Sequence, residues 1–584
     1  MSESKEVEKI RHSLSHILAK AVKELYPHST LGTGPATEHG FYYDFGNISI
    51  SEEDLPSIEK KMKEIIRQDP EFKKSVISKE KAKKVFKNEP YKIEILEEIE
   101  EEEVSIYETG DFVDLCEGPH VQSAKEINPE SFKLDRTAGA YFRGSEENPM
   151  LQRIYGLAFK TKDELSEFLE KREEAAKRDH RKIGKTLGLF MFDEEVGQGL
   201  PLYLPKGGML RHLLMDFAMQ TYLRNGYEIV STPHIAREDL WERSGHLKFY
   251  KDDMYGPLSV DEKNFRLKPM NCPFHVKMYK SSTRSYRELP MRWAEMGTVY
   301  RYEKSGELHG LTRPRCFTQD DAHIVCREDQ LEQEITKALQ IINYIYDNLG
   351  MKELNFKLSV RDPQAPEDYF GNDEDWTKAE ESLKSALSSF TSANFTLDEG
   401  EAAFYAPKID IDAVDAMGRS WQLSTIQVDF NLPYRFEMTY IDENGKERTP
   451  FMIHRALLGS IERFLGVYIE HTKGKFPLWL SPEQAWVIPV SEKSEIYASK
   501  VYKELRKRGF RSTLKNEGET LSKTIRNGEI QKIPYLLVVG EREEKNGSVS
   551  VRHYGEDKGV MGLEELISQM QKESKVEDLE EEAQ

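Results

Sequence analysis

The sequence predicts a multidomain α+β protein, and three observations carry that expectation. At 584 residues the chain is too long for a single hydrophobic core, so three or four domains are expected. Its centre, 186–480, consists of many separated strand-like runs mixed with helical ones and holds most of the polar clusters. Its last part, 481–573, alternates strands with amphipathic helices in the manner of one small α/β module.

Composition narrows the class. The chain is 38% hydrophobic and 32% charged, with no apolar run long enough to span a membrane. Its first residues, MSESKEVEKIRHSLSHILAK, lack the apolar core of a signal peptide. Four cysteines (Cys116, Cys272, Cys316 and Cys326) are too few for a disulfide scaffold, so a reducing, cytoplasmic setting is expected. The net charge of −20 does not exclude a nucleic-acid partner, because much of it is local to EILEEIEEEE (94–103) and VEDLEEEAQ (576–584). Basic residues gather in KRDHRKIGK (177–185) and KELRKRGFR (503–511), and phosphate binding follows local basic surface rather than net charge.

In chain order, residues 1–27 predict an amphipathic helix. Ile10, Leu14, Ile17, Ala21 and Leu25 form its apolar stripe, and His12 and His16 lie four apart on a neighbouring face. CEGPH (116–120) places Cys116 and His120 on a tight turn, since its Gly-Pro pair forbids a helix. The two pairs have the donor types of a zinc set, although spacing alone equally allows two unrelated histidine pairs. With Lys92 and Asp114 they make a candidate polar site in a first domain, 1–160. From Thr161 the pattern is helical and highly charged, with Thr161 and Glu164 at capping-box spacing, and reads as a linker over 161–185.

Within 186–480, the run EMGTVYRYEKSGELHGLTRPRCFTQDDAHIVC (295–326) predicts a hairpin. Side chains two apart on a strand share a face. Glu295, Arg301 and Glu303 therefore line one face of the first run, and Arg315, Phe317, Gln319, Asp321 and His323 one face of the second. Val299, Ile324 and Val325 anchor the hairpin in a core, so its polar face is predicted to be a site and not solvated surface. The same block carries Cys272 in LKPMNCPFH (267–275), Tyr405 and Lys408 in GEAAFYAPKIDID (400–412), and Gln422 and Gln427 in GRSWQLSTIQVDFNLP (418–433). FMIHRALLGSIERF (451–464) reads as a strand, a break at Gly459-Ser460 and a helix bearing Arg463. Cys272, His323 and His454 are too far apart for spacing to make ligands of them, and each alone reads as a buried structural residue. The final module has no catalytic cluster and fits binding, and 574–584 is an acidic tail.

Taken together, HSLSHILA (12–19), CEGPH, MLQRIYG (150–156), DHRKIGK (179–185), MNCP (270–273), LHGL (308–311) with FTQDDAH (317–323), and HRALLGSIERF (454–464) resemble the threonyl-tRNA synthetase family over residues 5–573. The resemblance implies a class II core, an antiparallel sheet flanked by helices, with an N-terminal α+β editing domain and a C-terminal α/β anticodon-binding domain. It also implies a form lacking the family's usual extra N-terminal domain. STPHI (231–235) would be motif 1, with Pro233 at a homodimer interface; the hairpin would be motif 2, and HRALLGSIERF motif 3. The implied activity is ligation of threonine to its tRNA through a threonyl-adenylate made from ATP, with magnesium, and hydrolysis of mischarged seryl-tRNA.

Residue roles follow by the same resemblance. Arg301 would grip the α-phosphate and carboxylate, Arg463 the far end of ATP, Arg313 its bent phosphates, and Glu303 and Phe317 the adenine. Lys408 would neutralise charge near the α-phosphate, with Gln422 also on the ATP side. Cys272, His323 and His454 would hold one zinc with an open position for threonine's amine and hydroxyl. Asp321 would accept from that hydroxyl, and Gln319, Tyr405 and Gln427 would complete the pocket. Valine would leave polar groups unpaired; serine lacks only a methyl, worth about 1–3 kcal/mol, so a second site is required. His12, His16, Lys92, Asp114, Cys116 and His120 match that editing site, expected to activate water without a metal. His246 matches a residue that helps deprotonate the terminal ribose, and Asn516, Glu543 and Arg552 match anticodon-reading positions.

Several positions depart from the family pattern. Cys316 stands for a glycine beside Phe317, Ala402 and Ala406 for glycines, LST (423–425) for Cys-Gly-Thr, Phe142 for tryptophan and Lys532 for arginine. None removes a residue assigned to catalysis. A silent RNA-binding relative would be expected to have lost Arg301, Arg463 or the Cys/His/His set, and all are present. A class II enzyme for serine or proline is opposed by that set, by TQDDAH and by the editing domain.

Overall fold

The structure, a computed structural model, describes residues 2–145, 147–390, 395–515 and 518–576. Two compact units divide the chain, Met1–Glu174 and Ala175–Gln584.

In the first unit, α1 (Ser2–Leu25) buries Ile10, Leu14, Ile17 and Ala21, the predicted stripe, while Leu25 at its end is exposed. The stripe packs into one core with residues from two antiparallel sheets. One contains β1 (Gly40–Gly46), β5 (Phe132–Tyr141) and β6 (Met150–Ala158), with β6 between the other two. The other is β2 (Phe72–Ser78), β3 (Glu103–Thr109) and β4 (Phe112–Leu115). A short helix, α2 (Pro90–Glu98), buries Lys92.

The charged helix α3 (Lys162–Arg178) starts at the predicted capping box: Glu164 N–H donates to Thr161 Oγ1 at 3.2 Å, and Thr161 N–H to Glu164 at 3.3 Å. Within the expected linker 161–185, α3 buries only Leu165. Asp179 ends the helix and caps α4 (His180–Leu187), whose His180, Gly184 and Leu187 are buried in the second unit.

An eight-stranded sheet forms the centre of the second unit. Its order is Glu228–Ile229, β7 (Met291–Tyr300), β8 (Cys316–Cys326), β12 (Phe451–Ser460), β11 (Ser420–Asp429), β10 (Lys408–Val414), β9 (Leu354–Val360) and Thr396–Glu399. The six central strands are antiparallel and the two edge pairs parallel. Ile324, Ile409, Ile411, Ile426, Val428 and Ile453 turn to one face, where α5 (Pro205–Arg224), α7 (Leu331–Asn348), α8 (Asp373–Phe390) and α9 (Ile461–Thr472) share their core. On the opposite face, cross-strand register sets His323 against His454, His454 against Gln427, and Gln427 against Lys408. Alternation at period two thus turns four distant segments into one polar row. Beside it runs α6 (Cys272–Tyr279). The hairpin differs from expectation at one end: β7 stops at Tyr300, so Arg301 and Glu303 lie beyond the ladder. Arg301 N–H still donates to Arg315 O at 3.0 Å and holds the turn's entry.

The C-terminal module has the sheet order β14 (Ser512–Leu514), β13 (Ala485–Pro489), β15 (Tyr535–Val539), β16 (Ser548–His553) and β17 (Glu556–Gly562), flanked by α10 (Glu495–Lys507), α11 (Leu521–Ile530) and α12 (Leu563–Glu573). It has its own core around Val487, Val501, Leu537 and Val551.

The register slips once at the site: Gln319 faces Ser460 but Asp321 faces Ala456, so Leu457, Leu458 and Gly459 bulge from β12. Gly459 has φ +74°, and a Cβ there would stand 2.2 Å from Leu423 O, so only glycine fits. Asp320, pointing away from the polar row, accepts from Leu457 N–H at 2.9 Å, Leu458 N–H at 3.0 Å and the Tyr222 hydroxyl. Burial pushes its carboxyl up to about 6, against the pull of Arg455. Asp320→Ala strands two buried amides, each costing about 1–3 kcal/mol. Calorimetry of the full chain should show a lower-melting catalytic transition, with Asp320→Asn in between; an unchanged transition would mean the bulge holds itself.

Candidate active site

The polar row opens into a cleft of about 340 Å³ lined by Cys272, Arg301, Gln319, Asp321, Tyr405, Gln422, Gln427, His454 and Arg463 among others. Nine residues expected at the site from five separate segments therefore converge. Tyr405 OH donates to Gln427 Oε1 at 3.1 Å, and Asn271 Nδ2 donates to Asp321 Oδ2 at 2.9 Å. Burial raises the Asp321 carboxyl above its ordinary value, and Asn271 counteracts part of that rise.

Ligand atoms of Cys272, His323 and His454 lie within 4.8 Å of one another. The outer ring nitrogens are committed elsewhere. His454 Nε2 faces Asp429 Oδ2 at 2.9 Å and His323 Nδ1 faces His275 Nδ1 at 2.7 Å, which leaves His454 Nδ1 and His323 Nε2 confronting each other at 3.0 Å. Two imidazole nitrogens and a sulfur aimed at one point make a donor set suited to a cation. Burial opposes charge on His454, yet the Cys272 sulfur and Asp429 outweigh it and push that imidazole up to about 10. Zinc binding at such a donor set displaces protons from its ligands. One thiolate and two imidazoles, with a carboxylate behind one ring, fit a zinc with an open position.

On the other side of the cleft stand two guanidinium groups. Arg301 Nε and Arg463 Nε are buried without a hydrogen-bond partner. Arg301 also stacks over Phe317, 5.2 Å from the ring centroid. The remaining expected residues are distributed around this centre. Arg313 pairs with Glu303 at 2.8 Å and Glu307 at 2.9 Å, so the hairpin loop closes on its own charges. Lys408 pairs with Asp410 in an adjoining recess that Gln422 also lines. His246 lines a small apolar pocket with Cys272, Tyr405 and His454; its Nδ1 meets Ser244 Oγ at 2.7 Å and burial lowers it to about 4.

In the first unit, α1, α2, β4 and the following turn bring all six expected residues together. Asp114 is the hub, with Lys92 Nζ at 2.5 Å, the Tyr43 hydroxyl donating at 2.7 Å and His16 Nε2 at 3.6 Å. Cys116 Sγ lies 3.3 Å from both His12 Nε2 and His120 Nε2. Four ligand atoms, from His12, His16, Cys116 and His120, stand within 4.8 Å of one another. Burial dominates: it lowers all three imidazoles and pushes the Cys116 thiol up to about 11.

In the C-terminal module Glu543 accepts from Gly540 N–H at 2.9 Å, and Arg552 donates to Glu529 at 2.9 Å and to Gly555 O at 3.0 Å. Asn516 lies outside the described residues. Sequence reasoning missed Asp429, His275, Asn271 and Tyr43. Two were within reach: Asp429 is two residues from Gln427 on the same strand face, and His275 is three from Cys272 on one helix.

The neutral histidines of the first unit give its stability a pH dependence. Their folded values lie below the ordinary 6.5, so the unfolded chain binds more protons as pH falls. Their contribution is complete above about pH 6.5 and declines below it. Hydrogen exchange followed by mass spectrometry should show protection of α1 weakening from pH 7 to pH 5 after correction for intrinsic rates; constant or rising protection would contradict this.

Comparison with known proteins agrees with this geometry. Residues 255–472 match the family model described as tRNA synthetase class II core domain (G, H, P, S and T). Residues 484–573 match the anticodon binding domain, and 104–155 the threonyl and alanyl tRNA synthetase second additional domain. A threonine–tRNA ligase of Sulfurihydrogenibium sp. is 49% identical over 573 residues, covering 97% of this chain and 88% of that protein. One from Borreliella afzelii is 49% identical over 546 residues, 93% of each. A crystal structure of the RNA binding domain of threonyl-tRNA synthetase from Cryptosporidium parvum Iowa II is 42% identical with a TM-score of 0.65, covering 68% of this chain and 99% of that one. With relatives this similar over nearly its full length, and a class II core around the converging cleft, the chain belongs to the threonyl-tRNA synthetase family.

Proposed function

We propose that this chain joins threonine to its tRNA on the sheet face and removes wrongly attached serine at the N-terminal site. The observation that carries the first part is the cleft itself, with stranded Arg301 and Arg463 donors at one side and the Cys272, His323, His454 set at the other. Guanidinium groups stay charged and match phosphate oxygens, so a triphosphate supplies the missing acceptors. Magnesium accompanies ATP. As threonine's carboxylate oxygen bonds to the α-phosphorus and diphosphate leaves, Arg301 stabilises charge building on the phosphoryl oxygens. In the second step a ribose hydroxyl of the tRNA attacks the carbonyl carbon and AMP departs. His246 is unprotonated at neutral pH and offers an acceptor there.

Cys272, His323 and His454 would hold the zinc, which when bound supplies a charge that favours an amine and hydroxyl over hydrocarbon. Asp321 Oδ1, 3.9 Å from His323 Nε2, is the neighbouring acceptor for a substrate hydroxyl. Valine leaves the Oδ1 oxygen of this buried carboxylate without a donor, whereas serine satisfies it and lacks only methyl contact. That gap calls for the second site, where the His16 Nδ1 lone nitrogen is buried without a partner and Lys92 and Asp114 fix the polar floor. Neutral imidazoles there can accept a proton from an attacking water.

The chain is also proposed to act in the cytoplasm as a homodimer. None of its described helices is long and apolar enough to cross a membrane. Ile229 and Ile235, both exposed, flank the segment with Pro233 and give a second copy an apolar surface. Glu543 and Arg552, with Asn516, are the proposed anticodon readers.

Cys272→Ser and His323→Ala should abolish threonine-dependent ATP–pyrophosphate exchange, and full exchange in a zinc-free variant would refute the zinc role. Replacing His12 and His16 together by Ala should leave threonylation intact while seryl-tRNA accumulates. Clearance of seryl-tRNA at the wild-type rate would remove the editing assignment.

A further inference from the structure

The two imidazoles of the metal set are anchored differently. His454 rests on a carboxylate, Asp429, in the usual way for a ligating histidine. His323 rests on a second histidine, His275, which shares no edge with the cleft and takes no part in the reaction described above. His275 Nε2 in turn faces Glu295 Oε1 at 3.0 Å, and Glu295 also accepts from Thr232 N–H at 3.1 Å and Thr232 Oγ1–H at 2.8 Å. Lys268 Nζ donates to Thr232 Oγ1 at 2.8 Å. Lys268, His275, Glu295 and His323 are nearly fully buried, so water does not scramble the donors and acceptors.

With a neutral imidazole at His275, the hydrogens along this path have one consistent arrangement. Lys268 can only donate, so Thr232 Oγ1 accepts from it and turns its own hydrogen to Glu295. A carboxylate only accepts, so His275 Nε2 carries a hydrogen. The other nitrogen of a neutral imidazole is then an acceptor, so His275 Nδ1 accepts and His323 Nδ1 carries the hydrogen between them. His323 Nε2 is left with its lone pair facing Cys272 and His454. The opposite orientation would place a hydrogen on His323 Nε2, where a metal must bind.

We propose that His275, oriented by Glu295, is a positioning residue that fixes the tautomer of His323 and so makes the Cys272–His323–His454 set ready for zinc. The inference rests on the zinc reading above and goes beyond it to residues that touch neither metal nor substrate. Its reach is chemical as well as geometric: α6 carries both Cys272 and His275, three apart, so one helix supplies a ligand and the partner of another ligand.

The test is zinc affinity of the full chain, measured by competition with a chromophoric chelator, for the unaltered protein and three variants. His275→Ala should weaken zinc about 10–100-fold, the usual loss on removing such a partner. His275→Asn sets an amide oxygen where Nδ1 was and should restore wild-type affinity. His275→Gln places its amide near the Nε2 position, leaves His323 Nδ1 without an acceptor and should bind as weakly as the alanine variant. If the alanine variant does not fold, the Asn and Gln variants decide by their difference. Equal zinc affinity in Asn and Gln variants, or wild-type affinity in all three, overturns the proposal while leaving the metal site in place. An unaltered chain that holds no zinc overturns both.

Discussion

The register of β8 against β12, and of β12 against β11, is the constraint on which the catalytic face depends. His323 reaches His454 because these residues are directly opposed, and Gln427 joins them because β11 continues the same row. Slipping either pairing by one residue would turn the ring of one partner to the helical side of the sheet. The apolar neighbours prevent that slip. Ile324, Ile453, Ile426 and Val428 are buried against the helices, so moving the polar row also exposes the core. Register is therefore fixed by the hydrophobic face, and the site inherits its geometry from residues that touch no substrate.

The bulge in β12 is the local exception that this frame permits. It brings Ser460 opposite Gln319 at the end of the ladder, where Ser460 Oγ accepts from Arg463 N–H at 3.1 Å and opens the helix bearing Arg463. A regular strand would continue the ladder and leave Arg463 elsewhere. Asp320 makes the exception tolerable by accepting from the two amides that the bulge removes from sheet pairing. The carboxylates at 320 and 321 thus divide the labour between faces, one holding the backbone and one facing the cleft.

The division was partly legible in the sequence. Alternation alone puts Gln319, Asp321 and His323 together and assigns Asp320 to the other side, and the structure keeps that arrangement. The helix over the first residues and the capping box at Thr161 also follow from local spacing, because their partners lie within one or two turns. What spacing could not supply is the closure between segments. Nothing in the sequence around Asp429 says that it will meet His454, and His275 reads as one more helical residue until β8 is placed beside α6. The burial of His180 has the same origin: charge density over 161–185 marks a solvated helix, but His180 donates its backbone N–H at 3.0 Å to Glu470, which lies far along the chain.

The two Cys/His clusters show how the same side chains are turned to different ends. In the sheet-face cluster both outer ring nitrogens are tied, one to Asp429 and one to His275, which directs the free nitrogens at a common point. In the first unit the carboxylate at the cluster's floor, Asp114, already accepts from Tyr43 and pairs with Lys92. His120 Nδ1 meets a hydroxyl, Ser13 Oγ, at 3.1 Å, and His16 Nδ1 meets nothing. A hydroxyl can donate or accept, so it does not impose a tautomer, and an unpaired nitrogen imposes none either. The first cluster is thus held to one protonation pattern by its outer partners, and the second is not.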